Sequence, residues 1–575
     1  MRISTTRRSL LKMMGAGAVL SAAGCCCRSF PTPTILDLPP PAATIHPILK
    51  PVGVSTRPRP GTAYCLDVHT HFFNATDINI KGYFEGGVVR DHVPASLQDF
   101  VRSLGGIVDA MAADAPAAKT EYELLLQYAG NSRPLADPDH PLQGEIANRR
   151  SDIADDLLKK MQSQGLDEHF NKLRRDQMQK LGITAQENGK LDRATVLEAL
   201  SHKTRMAAHK ARYGHVNQAA HGGDPGGNLE FVGHILNYRF AAMRSFQANY
   251  CEDPDRFPID GVFAAMVDFD HFLDCPPISD REDQVRLHSL LAQMSGGWML
   301  PLVPYNPWSD VIAPGSSLAL VKKAITDYGF VGVKIYPATG FFPYGNATLP
   351  PLPTHLVPGK PSGAALDAAL YAMFEWCADN EVPVMAHAEE TMGYDVPADK
   401  FAEFEGWNAL LDAFQARRPN LKPPAINLGH FGGDSAADSD GSEWTALMAG
   451  LFSHPMGKKV YGDLGYWTAL CDCDSWSQDG AAALARLNKA LAVPQAPDRI
   501  MYGTDWYMIS TVQEWGDYAK DVSTHVKAGA ARLPMDKFFW KNAMTCYGLG
   551  VGGGQRQRVI DFYGKIPGGV PPWLT

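Results

Sequence analysis

No uninterrupted apolar stretch downstream of the N-terminal leader reaches the ~18 residues that a membrane-spanning helix needs. A basic stripe is missing as well. The net charge of −9 is spread along the chain, which argues against a nucleic-acid partner. There is no disulfide framework. Of ten cysteines, three sit in the leader, and Cys65, Cys251, Cys275, Cys377, Cys471, Cys473 and Cys546 form an odd set. Cys471-Asp472-Cys473 is too short for a CxxC redox motif, and no matching pair exists for a zinc knuckle. Most of these cysteines read as small buried hydrophobes.

What is present is a long chain with ample core. Its 575 residues exceed one ordinary domain, although α/β barrels with insertions reach such sizes, and 45% of them are hydrophobic. The first residues read as an export leader. Thr5-Thr6-Arg7-Arg8-Ser9-Leu10-Leu11-Lys12 carries paired arginines ahead of the weakly apolar stretch Met13–Gly24. This pattern predicts a twin-arginine leader over residues 1–27, with the twin-arginine export machinery as a partner. The expected location is the periplasm or, through acylation of Cys25, a lipid anchor at the cell envelope. Ala22 stands where lipoprotein signals usually carry Leu. Residues 28–60 are rich in proline and read as an extended tether.

The chemistry starts at Asp67-Val68-His69-Thr70-His71. Two histidines at i and i+2 on a strand share one face, so two imidazoles can meet one metal ion. Downstream, apolar runs end in His387, His430 and Asp505. The candidate strands are Tyr64–Val68, Gly261–Asp268, Met299–Tyr305, Gly332–Tyr336, Val382–His387, Ala425–His430, Lys459–Leu464 and Arg499–Thr504. Most are rich in Val, Ile and Leu, as parallel strands buried on both faces are. Helical spacing fills most intervals, for example Leu366, Leu370, Met373, Phe374 and Cys377. Eight such units predict a TIM-type (β/α)8 barrel over residues 61–575, with its active site at the strand C-termini.

One interval is anomalous. Between the first and second strands, a helical insertion of about residues 75–258 replaces a short loop. Three apolar stripes mark it: Leu97 to Met111, Ile153 to Leu173, and Phe231 to Met243. Leaving the barrel at the metal-binding strand, it is expected to cap the mouth. Near the other end, Gly548-Leu549-Gly550-Val551-Gly552-Gly553 contains a GxGxxG string with no following βαβ unit, so it reads as a turn.

Imidazoles plus a carboxylate suit a divalent metal with an open position for water. His69, His71, His387 and Asp505 supply that set, for zinc ahead of manganese or iron, and for one ion ahead of two. Bound metal lowers the pKa of water, and Asp505 can accept a proton and return it to the leaving group. His430 is a further catalytic candidate, as an electrophile or as a ligand of a second metal. Lys334, charged inside an apolar strand, reads as a bridge between two metals, as a cation for a substrate carboxylate, or as the partner of a structural carboxylate. His271 follows a strand end too, as a weaker candidate. Arg90, Arg239 and Arg244 lie in the insertion, but no clamp for an aromatic acid is identifiable.

These residues, in this order, resemble the amidohydrolase superfamily. The likeness is closest to the amidohydrolase-related branch that includes aminocarboxymuconate-semialdehyde decarboxylase and related decarboxylases, hydratases and hydrolases. It covers roughly residues 64–550 apart from the insertion, and includes Gly429-His430-Phe431-Gly432-Gly433, Tyr502-Gly503-Thr504-Asp505-Trp506 and Asn542-Ala543. The resemblance implies a mononuclear site with His69, His71, His387 and Asp505 as ligands and His430 catalytic. Lys334 and His430 become ligands only if the site is binuclear. The expected function is a metal-dependent hydrolase, in which metal-activated water attacks an amide, lactone or other carbonyl of a small organic substrate. The alternatives are a non-oxidative decarboxylase or hydratase of an unsaturated or aromatic acid, and a non-catalytic exported binding protein.

Overall fold

The computed structural model describes residues 44–53, 59, 61–84, 98–180, 191–201, 225–253, 256–271, 276–348, 362–391, 396–434, 443–471, 478–512 and 515–575. The leader, residues 28–43, 54–58 and 60 of the tether, Leu97, Arg90, Cys275 and Cys473 lie outside them. The described stretch 44–53 is not an extended tether, since Ile45, Ile48 and Leu49 are buried and Leu49 N donates to the Met294 carbonyl at 2.7 Å.

Eight short runs form one parallel sheet in sequence order. They are β1 (Leu66–Thr70), β2 (Gly261–Ala265), β3 (Met299–Pro304), β4 (Gly332–Ile335), β5 (Val384–His387), β6 (Ile426–Gly429), β7 (Val460–Asp463) and β8 (Ile500–Met501). Every residue in them is buried. The sheet curls back on itself. Thr70 bridges Trp506 in parallel, Val68 N donates to the Tyr502 carbonyl at 3.1 Å, and Asp505 N donates to the His69 carbonyl at 2.7 Å. This is the expected TIM-type barrel. Helices cross between successive strands, among them Arg281–Met294, Ser316–Asp327, Gly363–Asp379, Phe404–Arg417 and Gln478–Ala490. Ser362 starts one of them by accepting from Ala365 N, and Asn306 caps the short helix Pro307–Ile312.

The end of the barrel opposite the strand C-termini is plugged by the chain's last segment. Tyr547, Leu549, Val559, Tyr563, Trp573 and Leu574 join Leu66, Phe263, Leu300 and Met385 in one apolar cluster. Trp573 Nε1 donates to the Asp260 carbonyl at 3.1 Å, and Tyr563 hydroxyl to that of Gly329 at 3.0 Å. A Cβ at Gly261 would stand 3.0 Å from the Trp573 ring, so a larger residue there would press on the plug. The GxGxxG string is a turn, with Gly548 and Gly552 at φ +60° and +79°.

Between β1 and β2 the chain is helical, in segments that include Ile80–Tyr83, Gln98–Ala112, Ala118–Tyr128, Pro141–Ser163, Pro225–Ile235 and Arg239–Phe246. The predicted stripes bury Phe100, Leu104, Val108, Ile153, Leu157 and Met161. The third stripe is two helices rather than one, broken after Ile235. Only part of this segment meets the barrel mouth. His234 packs on Trp506 and Tyr507, whereas Ala118–Tyr128 lies along the flank against Arg281–Met294. Arg239, wholly buried, ties the segment together. It donates to Asp77 Oδ1 at 2.5 Å, Glu121 Oε2 at 2.8 Å and Thr76 Oγ1 at 3.0 Å. No helix among the described residues is long and apolar enough to cross a membrane.

Candidate metal centre

The strand C-termini bring the sequence candidates to one cavity. It is lined by His69, His71, His387, His430 and Asp505 on the barrel side and by aromatic and apolar groups outward. The alternation of β1 turns His69 and His71 to the same end, and Asp505 reaches them from the segment after β8. Asp505 Oδ1 lies 3.4 Å from His69 Nε2 and 3.2 Å from His71 Nε2. One ligand atom from each of the three residues falls within 4.8 Å of the others.

The hydrogen bonds behind the rings fix which nitrogen faces inward. His69 Nδ1 donates to Asp463 Oδ1 at 2.9 Å, and His71 Nδ1 to the Ala265 carbonyl at 2.8 Å. In the tautomers these bonds assign, both Nε2 atoms present bare lone pairs to a carboxylate oxygen. Three acceptors turned on one point repel one another unless a cation lies between them. Lys334 Nζ, 3.3 Å from His69 Nε2, answers this in part. Two imidazoles and a carboxylate, oriented from behind, fit a zinc-type divalent cation.

Burial works against ionising Asp505, but His69, His71 and His430 hold its carboxyl far below the usual range. Asp463 is likewise opposed by burial and brought down to about 2, chiefly by His69. Burial depresses His71 and brings Lys334 down to about 8, against the pull of Asp463 and Asp505. Lys334 thus sits inside β4 with its amine facing the metal-type cluster. Its Nζ also lies 4.7 Å from the centre of the Tyr336 ring.

His387 and His430 stand beside the trio. The His387 ring is 4.7 Å from that of His430, which is 4.6 Å from that of His69. His387 Nε2 is engaged by Thr391, at 3.0 Å from Oγ1, so Nδ1 is the atom with which it would join a metal. His430 Nδ1 lies 3.0 Å from the Gly465 carbonyl, and burial, with the charge of His69, lowers its pKa to about 3. A neutral ring bonded in this way offers Nε2 as an acceptor. It fits a proton acceptor or a second-metal ligand better than an electrophile that polarises a carbonyl.

Other candidates fall elsewhere. His271 Nε2 meets Ser309 Oγ at 3.0 Å. Arg239 is committed to Asp77 and Glu121, and Arg244 pairs with Glu252 at 2.6 Å. Neither serves as an acid clamp. Sequence reasoning passed over three residues. Asp463 orients His69. Asp67 accepts from His69 N, Thr504 N and Thr504 Oγ1, while burial pushes it up to about 8. Tyr83 enters the cavity from the inserted segment. A charged residue ending a buried strand was the available signal for Asp463, the same one that marked Asp505.

Residues 302–549 match the family model described as amidohydrolase. No curated protein matches the chain. Among solved structures, an amidohydrolase from Burkholderia multivorans with bound zinc is 16% identical, over 50% of this chain and 83% of that one, with a TM-score of 0.32. Amidohydrolase 2 from Bifidobacterium longum subsp. infantis is 13% identical, over 50% of this chain and 80% of that one, with a TM-score of 0.27. Superpositions this loose carry no argument, and the fold rests on the strand order above. The matched stretch begins inside β3 and runs past Asp505, so it takes in His387, His430 and Asp505 and leaves the β1 histidines upstream.

Proposed function

We propose that the chain is a metal-dependent hydrolase of a small organic amide, lactone or other carbonyl compound. One observation carries the reading: two imidazole lone pairs, each oriented by a hydrogen bond behind its ring, and a carboxylate oxygen converge within 4.8 Å. His69, His71 and Asp505 would hold a divalent cation, zinc ahead of manganese or iron, with His387 Nδ1 as the next donor. Such a cation supplies Lewis acidity and water of lowered pKa.

The chain's own groups do the rest. Asp505, ionised throughout the neutral range, accepts the proton of the attacking water and returns it to the leaving group. His430 Nε2 accepts the water's second hydrogen bond and so aims its lone pair. Phe73, Val267, Phe269 and Tyr336 wall the outer cavity and favour an apolar substrate body. The decarboxylase or hydratase reading needs a cation for a substrate carboxylate. With Arg239 and Arg244 paired elsewhere, Lys334 alone supports it among the described residues.

Elemental analysis of protein purified without chelators tests the proposal. About one zinc-type ion per chain is expected. Two would recruit Lys334 and His430 as ligands. No uptake, even after zinc or manganese is added, would sink the hydrolase reading.

A further inference from the structure

Among the described residues, the inserted segment contributes one polar side chain to the cavity wall. Tyr83 closes the short helix Ile80–Tyr83, which Asn79 caps by accepting from Gly82 N at 3.1 Å. Its ring is fixed on two sides. It stacks on Phe269 at 5.9 Å and 19°, and meets Phe73 edge-on at 6.2 Å and 78°. Only 6% of the residue is exposed. Its hydroxyl donates to Met508 Sδ at 3.4 Å.

That partner is the informative part. A thioether is a weak acceptor, and methionine side chains reorient readily. A phenol held rigidly by two aromatic rings, buried, and bonded to sulfur is a strong donor whose better partner has yet to arrive. The same cavity holds His71 and Asp505. Two other phenols line the cavity: Tyr507, whose ring stacks on Trp506 at 4.4 Å, and Tyr336, which is placed differently. Its ring lies beside His387 and under Lys334 Nζ, which makes it a platform for the lysine.

We propose that Tyr83 is a substrate-contacting residue which donates its O–H to the oxygen of a bound carbonyl, displacing Met508 Sδ. The phenol keeps its proton throughout. Its part is to orient that oxygen and to strengthen the hydrogen bond as negative charge gathers there. This assignment rests on the metal-hydrolase reading. It gives the insertion a place in the chemistry, because a residue outside the barrel completes the oxygen's surroundings.

The test uses acetohydroxamate, a carbonyl compound that binds zinc, on the zinc-loaded full chain. Tyr83→Phe removes the hydroxyl and leaves both ring contacts. We expect zinc stoichiometry and melting temperature to match wild type while acetohydroxamate affinity falls about 3- to 10-fold, the range for one lost hydrogen bond. A purely structural role would leave that affinity unmoved. Equal affinity in the two proteins overturns the assignment of Tyr83 and leaves the metal reading intact. So does a wild type that takes up zinc and binds no acetohydroxamate. A wild type that takes up no zinc overturns the hydrolase reading, and this inference with it.

Discussion

Asp463→Asn is the substitution that bears most directly on how the site is built. The carboxylate is fully enclosed and each of its oxygens is used. Oδ1 accepts from His69 Nδ1 at 2.9 Å, Gly465 N at 3.0 Å and His430 N at 3.3 Å, and Oδ2 accepts from Asn427 Nδ2 at 2.8 Å. An amide can keep its oxygen in the Oδ1 position, where three donors converge. Its new NH2 then faces Asn427, which can turn its own amide to accept. The hydrogen-bond count survives and the charge does not. The substitution therefore isolates one effect, the negative charge that makes His69 Nε2 a better donor to a metal.

Loss of such a partner typically lowers metal affinity 10- to 100-fold, or about 1.4–2.8 kcal/mol. Competition for zinc against a chromophoric chelator at neutral pH reads this directly. The melting temperature of the metal-free protein should move by no more than about 2–4 °C, as expected of a change near 1 kcal/mol in a large chain. Zinc affinity within about twofold of wild type would refute the claim that Asp463 tunes His69. A collapse in metal-free stability would mean instead that Asp463 holds β6 and β7 together and that its charge is incidental to the metal.

Two further substitutions test the frame around the site. Arg239→Leu strands Asp77 and Glu121 in the core and should cost about 3–5 kcal/mol in urea unfolding of the metal-free chain, so a loss under about 1 kcal/mol would show that the network is not what seats the insertion. Lys334, ordinarily near 10.5 and lowered here to about 8 by burial, binds its proton more weakly folded than unfolded. The unfolded chain therefore holds more protons between pH 8 and 10.5, and the stability contributed by this group rises with pH across that window, by about 3 kcal/mol in all. Metal-free Lys334→Met should lack that rise, and parallel melting curves for the two proteins from pH 8 to 10 would disprove it.

The barrel was legible because buried parallel strands announce themselves as Val- and Ile-rich runs, and all eight predicted runs overlap an observed strand. The first and last were misplaced for one shared reason. The apolar signal for β1 begins at Tyr64, yet pairing carries on through His69 and Thr70. At the other edge, β8 is only Ile500–Met501, because Thr504 N bonds the Asp67 side chain and Tyr502 N bonds the Phe538 carbonyl. Where the barrel closes, a side-chain bond and a bond to Phe538 interrupt the regular backbone ladder, and apolar patterning does not register them. The cap was read too simply. Apolar stripes report that helices pack, not where, and Ala118–Tyr128 found the flank.

What the sequence could not show at all is the backbone that aims the ligands. Of the five non-glycine residues with positive φ among the described residues, four lie just past the ends of β6, β7 and β8: His430 at 63°, Phe431 at 45°, Tyr466 at 59° and Asp505 at 57°. Left-handed backbone costs an ordinary residue about 1–2 kcal/mol, and none of these is glycine or asparagine. The surroundings compensate through specific bonds. Asp505 N donates to the His69 carbonyl at 2.7 Å, Tyr466 N to that of Thr504 at 3.3 Å, and Trp467 Nε1 to that of His430 at 2.7 Å. At these turns His430 and Asp505 line the same cavity as His69 and His71. Glycine would make these turns without strain but would bring no imidazole or carboxylate. At His430 and Asp505 the chain thus combines a sharp turn with a side chain that lines the cavity, whereas Phe431 and Tyr466 take the same strained backbone outside it. Gly432 and Gly433, which follow directly, take positive φ where a Cβ would strike Thr445 N or Glu389. In one short stretch the chain uses glycine where only the turn matters and histidine where the chemistry does.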